Sequence, residues 1–412
     1  MSIPVAERFD LTQLERRSPR RREADIHPYF GRVDPALAAT LIKNYSAPGA
    51  TILDPFCGSG TVLAESLLAE RSAIGWDSSP LAVGISIAKL SSPDDTEVEE
   101  LERLAKELVP WSSTATKQVE LPDDRVVPEM PRVRSISKWF GDWALAELGF
   151  LKSRLLRCDT QLSPTARLLA WVAFSRIITG ASNQEGESNY RCVEKDHPRG
   201  HVVTMFCAAL TAVGTAAQAS LPGVGKRQVV DLSLTAGTIG WPDRSATVIV
   251  RDSRSGDAGR QRADLVVTSP PYLMSWDYGL YHKFRFYWLG LDLDGYEQTE
   301  IGRHLRRKHD DVERYRQDMT ATFEVLHTTL RKGGRIAIVN SPSIVYGHQV
   351  DTNEILGECA AEVGWMLESC QASLDLTGPH HGMYGSLASR RARAPGGPGK
   401  QEHVLIFSQA GG

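Results

Sequence analysis

The sequence is short of the features that would mark several whole classes of protein. Its 412 residues include six cysteines, none in a CxxC pair and none with histidine at a zinc spacing. Neither a structural metal site nor a disulfide framework is expected, and the thiols read as reduced. There is no G-x-G-x-x-G run and no Walker GK[S/T], which removes the two commonest nucleotide-binding loops. The longest apolar-rich stretch identified, LLAWVAFSRIITGA, is interrupted by Arg176 and falls short of a bilayer span. No N-terminal apolar segment resembles a signal peptide, so the expectation is a cytoplasmic protein with no membrane attachment. Charge of one sign is also lacking. With a formal net charge of −3, a polyanionic partner would have to be met by local clusters. Three such clusters exist: RRSPRRR at 16–22, RHLRRKH at 303–309 and RRAR at 390–393.

What is present reads as α/β. Residues 1–23 are basic and polar and are expected to be loosely ordered. From Pro35, PALAATLIKNY has helical spacing, TILD is a short buried strand, and TVLAESLLAE is a helix. SAIGWD and PLAVGISIAKL repeat the alternation. Strand–loop–helix repetition predicts a mostly parallel sheet covered on both faces, of the doubly wound, Rossmann-like kind. Four segments follow: the basic arm 1–23, a first α/β half over 24–92, a mostly helical insertion over 93–225, and a second α/β half over 226–412. In the last of these, ATVIVRD, ADLVVTS, KGGRIAIVN, WMLESCQASL and EHVLIFSQ read as strands. The final two are joined by a long loop rich in Gly, Pro and Arg, a length that usually accompanies function or mobility.

The stretch LDPFCGSGT carries the clearest chemistry of the first half. A buried strand ends at Asp54, and Gly58, Ser59 and Gly60 lead into a helix. Glycines let a ligand lie against the main chain, and a helix start supplies unpaired N–H groups. In an open α/β sheet, the crevice at the carboxyl ends of the strands is the expected ligand site. Asp77 ends the second strand, where a carboxylate can accept bonds from both ribose hydroxyls of a nucleoside-containing cofactor.

A second oddity is TSPPY, directly after the strand ADLVV. Consecutive prolines forbid helix and further ladder pairing, leaving a stiff corner at a strand tip. Together, DPFCGSGT, SPPY and the flanking stretches HPYFGRVDPALAATLI and MSWDYGLYHKFRFYWLG resemble the S-adenosylmethionine-dependent DNA amino-methyltransferases. The resemblance covers residues 24–92 and 246–345. It implies a class I methyltransferase fold with a seven-stranded sheet, S-adenosylmethionine as cofactor, no metal, and double-stranded DNA as substrate. By the same resemblance Ser269, Pro270, Pro271 and Tyr272 form the catalytic tetrapeptide. Asp54, Pro55, Phe56, Gly58, Ser59, Gly60 and Thr61 form the cofactor loop, Asp77 is the ribose acid, and Asp252 meets the adenine amine or merely caps its strand. Serine at the first position of the tetrapeptide usually accompanies methylation of cytosine N4 in this family. Aspartate or asparagine accompanies adenine N6 or guanine N2.

The chemistry accounts for the corner. An exocyclic amine has a delocalised lone pair and must be held in line with the methyl donor, surrounded by acceptors for its protons. A base swung out of the duplex gains stacking from an aromatic ring such as Tyr272. No covalent intermediate is required, and the absence of a Pro-Cys nucleophile pair fits amine rather than carbon-5 methylation. His27 stands either near the methionine carboxylate or as a capping residue; Asp277 and Tyr278 shape the base pocket or pack the core. Arg303, Arg306 and Arg307 are expected to contact phosphates. The amide-rich run 183–191 reads bases or is a solvent loop, and the insertion recognises target sequence or serves as a lid or dimer surface. A cognate restriction endonuclease is a possible partner. Adenine-N6 methylation, RNA base methylation and a catalytically silent nucleic-acid-binding subunit are the alternatives.

Overall fold

The computed structural model describes residues 26–115, 120–121, 135–157, 161–187, 189–225, 227–256, 262–274, 277–303, 310–372 and 402–409. The N-terminal arm, the long loop before the last strand, and Arg306 and Arg307 therefore lie outside the described residues.

The chain begins with α1 (Pro35–Tyr45), β1 (Thr51–Asp54), α2 (Thr61–Leu68), β2 (Ser72–Asp77) and α3 (Pro80–Leu90). A helical stretch follows: α4 (Asp95–Leu108), α5 (Ile136–Trp139), α6 (Asp142–Arg157) and α7 (Pro164–Ala181). A small hairpin, β3 (Gln184–Gly186) and β4 (Asn189–Cys192), leads to α8 (His201–Gln218). Then come β5 (Gln228–Leu232), β6 (Ala236–Gly240), β7 (Ser245–Val250), β8 (Ala263–Thr268), α9 (Tyr278–Leu289), α10 (Leu293–Thr299), α11 (Asp311–Thr329) and β9 (Leu330–Asn340). The described chain closes with a second hairpin, β10 (Ser343–Val345) and β11 (His348–Val350), then α12 (Thr352–Glu362), β12 (Trp365–Ala372) and β13 (His403–Gln409).

The helix starts follow the sequence. Asp34 accepts from the N–H groups of Ala36 and Leu37 with Pro35 in the first turn, and Ser79 and Ser163 cap α3 and α7 ahead of Pro80 and Pro164. Asp94 and Glu97 form a reciprocal capping box on α4. Each satisfies N–H groups that a helix cannot pair internally. Helices α5 and α6 are divided at Phe140–Gly141.

One nine-stranded sheet organises the molecule, in the order β12-β13-β9-β8-β1-β2-β7-β6-β5. Strands β9, β8, β1, β2 and β7 are mutually parallel, and β13 runs antiparallel to β9 and β12. The seven strands from β7 to β12 have the order and the reversed strand of a class I methyltransferase sheet. The expected seven strands are thus present, with β5 and β6 added as an antiparallel hairpin on the β7 edge. The residues of that hairpin lack the sustained apolar alternation that marks a strand in sequence. Gly237 shows why a small residue is needed there, since a Cβ would lie 2.9 Å from Ile87 of α3.

The helical segment forms no core of its own. Leu148, Phe174, Phe206 and Leu210 share one buried cluster with Leu63, Ala73 and Val248 of the sheet layer. Helix α8 has the length and apolarity of a bilayer-crossing segment, an apolar run that exceeds the one singled out from the sequence. In the fold it packs against α4, α6 and α7. Its N-terminus is held by Glu147 of α6, whose buried carboxylate accepts N–H bonds from Gly200 (2.5 Å), Val202 (2.9 Å) and Val203 (3.1 Å). An anion at a helix N-terminus meets both the orphan donors and the helix dipole. Glu147→Ala strands these donors and is expected to cost about 2–3 kcal/mol. Urea unfolding checks this; an unchanged midpoint would show that Glu147 does not hold α8.

Candidate active site

Strands β1 and β8 are neighbours, with Ile52 opposite Leu265 and Leu53 opposite Val266. Their carboxyl ends therefore emerge side by side. Thr268 donates its hydroxyl proton to Asp54 Oδ1 at 2.6 Å, and both residues are buried. The two segments leaving this joint are 55–60 and 269–272, separated by some two hundred positions in sequence. Ser253, just beyond β7, donates to the Pro55 carbonyl and draws a third strand end into the same place.

Between these ends lies an open cleft. Phe56, Gly58, Asp77, Ser78 and Asp252 line one side, and Ser269, Pro270, Pro271 and Tyr272 the other. Tyr29 and Gly31 cover it from the N-terminal segment, with Tyr278, Tyr296 and Thr299–Ile301 closing the far wall. Tyr29 stacks on Tyr278 at 5.8 Å and on His282 at 5.5 Å. That stack presses on the glycine loop: Gly58 has φ 50°, and a Cβ there would stand 3.1 Å from the Tyr29 ring. Gly60 has φ 75° and caps α2 without a side-chain bond, so the first-turn N–H groups have no partner from the cap. Both glycines answer to backbone conformation and crowding together.

Asp77 is fixed by two backbone donors, Gly58 N–H to Oδ2 at 2.9 Å and Ser79 N–H to Oδ1 at 2.8 Å. Each carboxylate oxygen retains acceptor capacity for a vicinal diol. Burial pushes the Asp77 carboxyl up to about 6, with the two N–H bonds pulling the other way. Burial likewise pushes Asp54 up to about 7, opposed by the bonds from Thr268 and the Phe56 N–H. The Ser59 hydroxyl is buried with no partner among the described residues. Thr61 begins α2 and accepts from the buried Lys89 ammonium at 3.3 Å. A diol-accepting carboxylate, an aromatic wall at Phe56 and an uncapped helix start fit a nucleoside carrying an amino-acid tail.

Several expected residues stand differently. Asp252 lines the cleft, but its carboxylate is engaged by Arg254 in a two-point pairing, Nε to Oδ1 at 2.9 Å and Nη2 to Oδ2 at 2.6 Å. Burial raises its affinity for a proton, and the Arg254 bonds outweigh that, so it is held below its ordinary range. Arg254 also reaches Asp318 at 2.6 Å, tying the cleft wall to α11. His27 is buried against α7, with Nε2 at 3.0 Å from Ser175 Oγ, and is absent from the cleft lining. Asp277 caps α9 through the Leu280 N–H at 2.8 Å, whereas Tyr278 does line the cleft.

Arg303 requires correction. Rather than facing outward to phosphates, its guanidinium turns onto Asp277 (3.0 Å), Glu297 (2.8 Å) and Glu300 (3.7 Å). A basic run read from sequence carries no information on which member pairs internally. The amides at the start of the 183–191 run also face inward. Gln184 is fully buried, and Asn183 donates to the Lys138 carbonyl at 3.0 Å, so neither presents an edge to a base.

Some residues of the site carry little or no sequence signal of their own. Thr268 was visible as a polar residue ending a buried strand, but nothing named Asp54 as its partner. Glu300 lines the cleft, accepting from the Tyr278 N–H at 2.6 Å. Burial and then the Asp277 charge push its carboxyl up to about 8. Glu402 precedes β13 and takes a long bond of 3.5 Å from the Tyr272 hydroxyl. No local sequence signal marks it.

Comparison with known proteins bears on the first motif. The DNA methylase family profile covering N6 and N4 enzymes matches residues 8–88. The type II methyltransferase M.MjaII of Methanocaldococcus jannaschii is 31% identical over 125 residues, which are 30% of this chain and 22% of that protein. The chain thus spans about a fifth of that relative's length. Among solved structures, TrmN of Thermus thermophilus aligns with TM-score 0.34 and 11% identity, covering 94% of this chain and 52% of its own. The rRNA methyltransferase aviRa of Streptomyces viridochromogenes aligns with TM-score 0.31 and 12% identity, over 94% and 93%. Superpositions this loose add nothing to the strand order. Residues 8–88, which hold the glycine loop, are thus similar to the DNA methylases that modify N6 and N4 amines.

Proposed function

We propose that this protein transfers a methyl group from S-adenosylmethionine to an exocyclic amine of a base in double-stranded DNA, the N4 amine of cytosine, at a defined site. It does so in the cytoplasm, as the modification partner of a restriction endonuclease or alone. One observation carries the reading: the Thr268–Asp54 bond sets the diproline corner beside the glycine loop, in one cleft.

The cofactor supplies an electrophilic methyl; the chain's task is to hold it and to present the amine. Asp77 anchors the ribose, and the uncapped start of α2 meets the carboxylate end. Across the cleft, Pro270 and Pro271 fix the main chain so that their carbonyls cannot relax away from the amine. Ser269 donates its proton toward Tyr272 Oη at 3.3 Å, and Tyr272 donates onward to Glu402. Spending the Ser269 proton in this way leaves its lone pairs to accept from the amine, which favours a tetrahedral nitrogen. Tyr272 and Tyr278 offer ring faces to an extruded base. The only thiol beside the loop among the described residues, Cys57, is buried and kept protonated by that burial, so a covalent adduct has no nucleophile here. Serine rather than aspartate at 269 favours cytosine N4 through the family resemblance.

Expression in a host free of DNA methylation, followed by sequencing that distinguishes amine from carbon marks, tests the function. The expected mark is N4-methylcytosine in a fixed motif. A mark on adenine N6 would change the base, and no DNA mark would leave RNA methylation or a silent subunit. Ser269→Ala and Tyr272→Ala should each lower kcat by about 100-fold or more while leaving cofactor affinity within about twofold. An equal loss in cofactor affinity would contradict their assignment to the base side.

The ionisation of Asp77 yields a second expectation. Below about 6 the acid is neutral and loses its charge-assisted acceptor bonds. Affinity for S-adenosylmethionine, measured by calorimetry between pH 5 and 8, should weaken as pH falls through that value. Asp77→Asn should bind about 10–100-fold more weakly, with a flat profile. A wild-type affinity that does not change across the range would remove Asp77 from the ribose.

A further inference from the structure

The hairpin β10–β11 leaves the carboxyl end of β9, next to the catalytic corner. Asn340, the last residue of β9, pairs with His403 of β13, and the preceding Glu402 is the residue bonded to Tyr272. The hairpin is therefore rooted beside the tetrapeptide. Its register is regular, with Ser343 opposite Val350, Ile344 opposite Gln349 and Val345 opposite His348. Tyr346 and Gly347 at the tip have φ 50° and 89°, the paired positive values of a tight two-residue turn. The root is braced by the Asn340 amide, which donates to Thr352 Oγ1 and Asn353 Oδ1, both at 2.8 Å.

Such a braced hairpin should hide its apolar side chains, and this one divides them. Ser343 and Val345 turn inward and are buried. Ile344 between them is 65% exposed, the highest value for a large hydrophobic side chain among the described residues, and Tyr346 is 51% exposed. At the root, Asn340 Oδ1 and the Ser341 and Ser343 hydroxyls are buried without partners among the described residues. Buried polar groups normally find a partner, so three together mark the hairpin root as unusual.

We infer that this hairpin is the wedge that enters the DNA duplex at the target site, with Ile344 filling the space in the base stack left by the extruded nucleotide. The inference rests on the reading of duplex DNA as substrate. Extrusion leaves an apolar gap between neighbouring base pairs, and inserted aliphatic side chains on a stiff support are a recurring way to fill it. Tyr346 donates to Asp311, which ties the tip to the start of α11. Tyr346, its hydroxyl held by that bond, supports the tip.

A duplex bearing one tetrahydrofuran abasic site already contains the gap, and needs neither a recognition sequence nor catalysis. By fluorescence anisotropy, the wild-type protein should bind it about tenfold more tightly than the intact duplex of the same sequence. Ile344→Ala should lose most of that preference, and Ile344→Leu should keep it. Cofactor affinity should not change in either variant, which shows that the fold is intact. No preference in the wild type, or an equal preference in Ile344→Ala, would overturn the inference. A retained preference with no DNA methylation would instead refute the proposed reaction and leave the wedge standing.

Discussion

The buried hydrogen bond from Thr268 to Asp54 is the constraint on which the rest of the site depends. Two parallel strands side by side bring their carboxyl ends together, but their loops could still diverge. The bond joins the last residue of β8 to the last residue of β1, so both loops start from one fixed point. Its setting makes it strong: a charged or half-charged acceptor with little access to water binds a donor more tightly than an exposed one. The same burial makes the arrangement costly, since it pushes Asp54 up to about 7. The fold tolerates a poorly solvated acid at the place where precision is needed.

From that point the site grows outward by short, specific ties. Ser253 holds the Pro55 carbonyl, Gly58 and Ser79 hold Asp77, and Arg254 holds Asp252 against Asp318. On the far wall, Arg303 gathers Asp277, Glu297 and Glu300. These ion pairs are largely shielded, and their worth is positional: each orients a wall residue that would otherwise repel its acidic neighbours. The aromatic lid of Tyr29 on Tyr278 and His282 completes the enclosure from the N-terminal side.

Much of this was legible in the sequence because local rules and global fold agree. Asp34–Pro35, Ser79–Pro80 and Ser163–Pro164 announce helix starts, and GSG after TILD announces a ligand loop. Even the meeting of the two motifs follows from parallel-sheet logic once β1 and β8 are recognised as strands. What was not legible depends on pairing across long sequence separations. Arg303 looks like its basic neighbours until Asp277 and Glu297 are folded against it. Asn183 and Gln184 look like solvent amides until α5 and α7 close over them. The β5–β6 hairpin is stabilised by an edge already present and by Ile87 beneath Gly237, so its own residues show little pattern. Glu402 reaches Tyr272 across 130 positions. A partner's identity cannot be read from one side of a contact.

The central claim is that one cleft serves both cofactor and base. Ultraviolet crosslinking of radiolabelled S-adenosylmethionine to the protein, followed by peptide mapping, tests it most directly. The account predicts label both on the glycine-loop peptide around Phe56 and on the peptide containing Ser269–Tyr272. Label confined to the first peptide, with none reaching the diproline corner under any condition, would contradict it.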